Sequence, residues 1–96
     1  MAKLPTIKEI ARLLVALKSD IGDEYRADEC AEVPSMSVTI GWSDETGDWS
    51  YQTGDNSYTG GAYGYPHWAV IYLDRRSSCR KVAREAIDQL AELSAR

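Results

Sequence analysis

The groups in this chain that could act as base, nucleophile or metal ligand are one histidine, His67, two cysteines, Cys30 and Cys79, and fifteen carboxylates. A catalytic arrangement drawn from them would use Cys79 as nucleophile, His67 as base and Asp74 as the group that orients the base. His67 opens an expected strand, while Cys79 lies on the apolar side of an expected helix, so about 20 Å of strand separates them. That distance removes the hydrogen-bond reach such chemistry needs. One histidine and two isolated cysteines fall short of the four ligands of a structural zinc. The TGDNSYTGG segment has glycine but no Gly-Lys-Ser/Thr ending, so it is not a phosphate-cradling loop. The expectation is a protein with no catalytic residues, no metal and no cofactor.

Residues 49–73, WSYQTGDNSYTGGAYGYPHWAVIYL, are the most distinctive stretch. They hold two of the three Trp, five of the six Tyr, four of the seven Gly and the one His. The chain has no Phe, so every large aromatic carries a polar atom on an apolar ring and suits a half-wet position. Trp49, Tyr51, Tyr58, Tyr63, Tyr65, His67, Trp68 and Tyr72 form the candidate binding set. Such rings can take a partner's side chains, a base or a sugar, or a partner cation over their faces. The other reading is internal, with Tyr58, Tyr63 and Tyr65 folding down over a sheet face. A homodimer joining two sheet faces lies between the two.

Five of the eleven basic residues, Arg75, Arg76, Arg80, Lys81 and Arg84, fall within ten positions at the start of the last expected helix. Cations there oppose the helix dipole. Either the acidic residues 20–32 neutralise the cluster, or an anion does, using guanidinium groups and helix amides.

The elements that must position these groups can be read in order. Thr6-Ile7-Lys8-Glu9 is a capping box that starts a helix at Ile7. Ile7, Ile10, Ala11, Leu14, Leu17 and Ile21 form its apolar face, and Gly22 is its expected stop. Residues 20–32 carry six carboxylates against Arg26 and read as an acidic connector. After Pro34, residues 35–42 alternate, with Met36, Val38, Ile40 and Trp42 on one face. A turn at residues 43–48 leads into the strand at 49–53. Residues 54–66 read as a long glycine-rich loop without a regular element, of the kind that is often functional. Residues 67–73 are apolar on both faces and call for cover on both sides. Ser77 or Ser78 caps a last helix with Cys79, Val82, Ala83, Ala86, Leu90 and Leu93 inward. The expected fold is a single α+β domain over residues 1–96, helix-strand-strand-strand-helix, with a three-stranded antiparallel sheet and both helices on one face.

That order, together with Arg80-Lys81-Val82-Ala83-Arg84, resembles the double-stranded-RNA-binding domain, whose final helix commonly opens with a Lys-Lys-x-Ala-Lys pattern. The resemblance implies that Arg80, Lys81 and Arg84 contact phosphates. Against it, a formal charge of −4 opposes generic attraction to nucleic acid or an anionic membrane. The longest apolar run, Trp68-Ala69-Val70-Ile71-Tyr72-Leu73, is far short of the ~20 residues of a spanning helix. The start of the chain lacks the apolar core of a secretory signal, which points to the cytoplasm and to reduced thiols. Size, acidity and the missing catalytic set suit a small accessory or regulatory protein such as a mobile element or phage encodes. It would act by protein contact or homodimerisation, with nucleic acid or phosphate binding as the alternative.

Overall fold

The computed structural model describes residues 3–26, 30, 32–54 and 61–95. Helix α1 spans Ile7–Lys18, and its capping box is formed in both directions: the Thr6 hydroxyl accepts from the Glu9 amide at 3.1 Å, and the Thr6 amide donates to the Glu9 carboxylate at 2.9 Å. The helix stops at Ser19 rather than at Gly22. Two tight turns follow, with Asp20 N–H donating to Leu17 and Ile21 N–H to Lys18, and they bring Ile21 down into the core. The apolar spacing thus extended past the helix because the turns keep Ile21 on the same side.

Strand β1 spans Ser35–Trp42, β2 Trp49–Thr53 and β3 His67–Asp74, and helix α2 spans Cys79–Ser94 with Ser78 as its cap. The β1–β2 turn places Gly47 at φ 80°, a backbone conformation that glycine adopts without a Cβ penalty. The sheet order is β2-β1-β3, with β1 antiparallel to both neighbours. β3 therefore does not continue the hairpin. The chain leaves one edge of the sheet at Thr53 and returns at the other edge at His67.

One face of the sheet carries Met36, Val38, Ile40 and Trp42 from β1 and Ala69, Ile71 and Leu73 from β3. Against it pack Ile10, Leu14 and Leu17 of α1 and Val82, Ala83, Ala86 and Leu90 of α2, all buried. Each of the Ile, Leu, Val and Met side chains contributes roughly 1.5–3 kcal/mol on leaving water, and the alanines less. The Trp42 indole is also enclosed, and its Nε1 donates to the Lys3 carbonyl at 3.0 Å, which ties the segment before α1 to the end of β1.

With both helices on that face, the described end of the connection from β2 to β3, residues 61–64, lies over the other one. A short 3-10 turn, Ala62–Gly64, lies there, where the glycine-rich composition suggests no regular element. The crossing is possible because β1 has glycine beneath it. A Cβ on Gly41 would meet the carbonyl oxygen of Ala62 and sit 2.9 Å from its Cα, so only a residue without a side chain lets the two backbones approach. Ala62 is fully buried as a result. Among the described residues, no helix is long and apolar enough to cross a membrane.

Candidate functional site

The ladder pairings sort the candidate aromatics, because directly opposed residues share a face. Trp42 pairs with Trp49 and with His67, and Ile40 pairs with Tyr51. Trp49, Tyr51 and His67 are therefore on the helix side. Trp68, Val70 and Tyr72 alternate with the buried residues of β3 and point to the outer face. The eight-residue set is split between two surfaces. Tyr58 lies outside the described residues.

On the helix side the aromatics are mostly engaged. Trp49 is half-buried against the core, and Tyr51 is exposed on the β2 edge. His67 Nε2 is 3.1 Å from Asp44 Oδ2, and its ring lies 5.7 Å from that of Trp42. This contact joins the hairpin turn to the start of β3, a structural role that needs neither Cys79 nor Asp74. Asp74 ends the same strand, and Cys79 opens α2 with its side chain packed on the core. The structure does not assemble the triad. Among the described residues, no cluster of three or more His, Cys, Asp or Glu side chains could hold a metal, and the cysteines form no disulfide.

The outer face is built differently on its two halves. Over β1 the 3-10 turn supplies cover: the Thr39 hydroxyl, itself buried, donates to the Tyr63 hydroxyl at 3.3 Å. The Tyr63 ring then meets Trp68 edge-on, with centroids 4.8 Å apart and planes at 81°, a favourable aromatic geometry. Tyr65, also half-buried, closes the turn through its N–H to the Ala62 carbonyl. Over β3 the described residues supply less cover, the Tyr63 edge against Trp68. Trp68 is 44% exposed and Tyr72 60%.

β3 is an edge strand, and α2 reaches it. Gln89 Nε2 donates to the Val70 carbonyl at 3.2 Å. A shallow hollow of about 280 Å³ lies beside this contact, lined by Trp68, Val70, Gln89, Glu92 and Leu93. Sequence reading passed over Gln89, since a glutamine on a helix flank carries no pattern of its own. Its role comes only from the strand it reaches.

The basic cluster is divided as well. Arg75 pairs with Asp23 at 2.8 Å and donates to the Ile21 carbonyl at 2.9 Å, and Lys18 Nζ donates to the Ser77 carbonyl at 2.7 Å. The acidic connector thus neutralises one member, through a surface pair of small energetic weight. Asp28 and Glu29 lie outside the described residues. Arg76, Arg80, Lys81 and Arg84 are exposed and, among the described residues, form no ion pair. The Ser78 hydroxyl already accepts from the Lys81 amide, so the first turn of α2 is partly capped by its own chain.

No protein-family model matches this chain, and no curated protein or solved structure matches it either. What it does has to be argued from the surfaces just described.

Proposed function

We propose that this is a small non-enzymatic binding protein whose contact surface is the outer face of β3. One observation carries the reading: Trp68 and Tyr72 stand 44% and 60% exposed on a strand whose alternate residues, Ala69, Ile71 and Leu73, are enclosed. Trp and Tyr are the side chains that most often anchor protein interfaces, because they bury a large apolar area with few rotatable bonds. Tyr63 holds one side of the Trp68 ring in place, which lowers the ordering cost of binding.

The occupant is a second copy of this chain. Trp68 and Tyr72 lie at equal spacing on either side of Val70. A two-fold axis at Val70 sets the Trp68 of each copy against the Tyr72 of the other, the self-complementarity an isologous contact requires. Gln89 satisfies the Val70 carbonyl and directs the contact to the face rather than to the edge. The open strip is narrow, since the 3-10 turn occupies the face over β1. A specific, stable interface commonly buries about 800 Å² per partner, more than this strip offers, so a micromolar dimer is expected.

Sedimentation velocity over roughly 5–500 μM, a range that brackets micromolar affinity, should show a concentration-dependent dimer. Trp68→Ala or Tyr72→Ala should weaken it about tenfold or more, the effect of removing an interface anchor, with little change in melting temperature. A wild-type chain that stays monomeric throughout that range sinks the dimer. A several-kcal/mol loss of stability in Tyr72→Ala would assign the ring to the core instead.

A further inference from the structure

Beside the start of α2, the apolar surface of α1 continues past its buried face. Ile7, Ala11 and Val15 fall at i, i+4 and i+8 along one margin of the face that buries Ile10, Leu14 and Leu17; Ile7 and Ala11 still pack on the core, and Val15 lies outside it. Ile7 and Ala11 are half-buried, and Val15 is 61% exposed. Together with Arg80 of α2 they line a groove of about 520 Å³, whose remaining lining residues are Lys8 and Arg12.

The charge around this groove is one-sided. Lys8, Arg12 and Arg80 are exposed, and among the described residues no carboxylate lines the groove and none of the three is in an ion pair. The nearby Glu9 carboxylate is turned back onto the Thr6 amide by the capping box. Lys8 and Arg12 stand one turn apart on the same helix, a like-charge spacing that costs a few tenths of a kcal/mol when nothing offsets it. In a chain of net charge −4, three cations around a hydrocarbon floor form a local reversal of sign.

We infer that this groove docks an acidic amphipathic helix of a partner protein. A helix laid between α1 and α2 would set apolar residues at i, i+3/i+4 and i+7 on Ile7, Ala11 and Val15, and carboxylates against Lys8, Arg12 and Arg80. Phosphate alone uses the rim and has no use for the floor. A nucleic-acid backbone has the same mismatch, since its charged groups gain nothing from aliphatic carbon. An anionic membrane is disfavoured by charge, since Glu85, Asp88 and Glu92 farther along α2 would be repelled. This docking site is separate from the outer face of β3, so the two stand or fall independently.

The test uses the full chain and a fluorescein-labelled synthetic helix of about 14 residues, with Leu at i, i+4 and i+7 and Glu at the flanking positions. Two controls accompany it: the same peptide with each Leu changed to Ser, and, as competitors, phosphatidylserine vesicles and a duplex RNA. Anisotropy should show binding that weakens several-fold between about 50 and 300 mM salt, as screened ion pairs do. Arg12→Glu and Arg80→Glu should each weaken it about fivefold or more, the effect of ~1 kcal/mol per charge. Val15→Ser, at an exposed position, should weaken it with the melting curve unchanged. Amide shifts in the ¹⁵N spectrum should map to residues 7–15 and the start of α2. The inference is overturned if the Leu-free peptide binds equally well, if vesicles or RNA bind and the peptide does not, if the shifts map elsewhere, or if nothing binds.

Discussion

The two faces of β3 are made by alternate residues of one eight-residue strand, yet they end in opposite environments. Ala69, Ile71 and Leu73 are closed in by α1 and α2, whereas Trp68 and Tyr72 face outward over a half-covered sheet. The difference comes from topology more than from hydropathy. Both helices are committed to one face, so among the described residues the other has the 3-10 turn for cover, and that turn lies over β1. Aromatic residues with polar atoms suit the leftover position, since each can be apolar against Tyr63 or a partner and still hydrogen-bond to water.

The largest effects should separate these faces. Ile71→Ala removes a fully enclosed side chain of the core and should cost about 2–5 kcal/mol in urea denaturation, with the spread set by how far the cavity collapses. Tyr72→Ala, one position along, should cost under about 0.5 kcal/mol, as surface changes do. Equal losses for the two would erase the distinction between the faces.

A middle effect should come from Gly41→Ala. A methyl group there has no room beneath the Ala62 backbone, so either the turn lifts or β1 shifts, at about 1–3 kcal/mol. Lifting the turn also breaks the Thr39–Tyr63 hydrogen bond and the Tyr63–Trp68 contact. Tryptophan fluorescence of the folded variant should therefore shift to the red as Trp68 becomes wetter. A variant with wild-type stability and spectrum would show that the turn does not rest on Gly41.

What was legible in the sequence was local. The Thr6–Glu9 capping box, the alternation of Met36, Val38, Ile40 and Trp42, and the inward stripe of α2 each depend on residues within a turn or a strand of one another, and each is found as read except at Leu93, which lines the hollow beside Trp68 and Val70 instead of the core. The requirement for cover on both sides of β3 was also legible, and among the described residues it is met fully on the helix side and only at Trp68, by Tyr63, on the other. Gly41 was not legible as a crossing point. In the alternating pattern it is one more small residue on the polar face, and its meaning depends on β1 being central and on the chain passing over it. The candidate binding set was drawn as one surface because its members are close in sequence. Pairing across the sheet divides it, placing His67 against Asp44 and Trp42, and Trp68 against Tyr63.

The smallest expected effect concerns the edge rather than either face. Gln89 fills the Val70 carbonyl, the kind of group through which an uncovered edge strand pairs with another chain. In Gln89→Ala, water can replace the lost donor at that half-exposed site, so stability should fall by no more than about 1 kcal/mol. Association should change in kind: with the carbonyl open, β3 can pair edge to edge with a second β3, extending the sheet. The variant should self-associate at least as strongly as wild type, and Trp68→Ala should no longer abolish it, because backbone pairing does not need the indole. A Gln89→Ala chain whose association still depends fully on Trp68 would show that the face alone makes the contact and that the glutamine does not guard the edge.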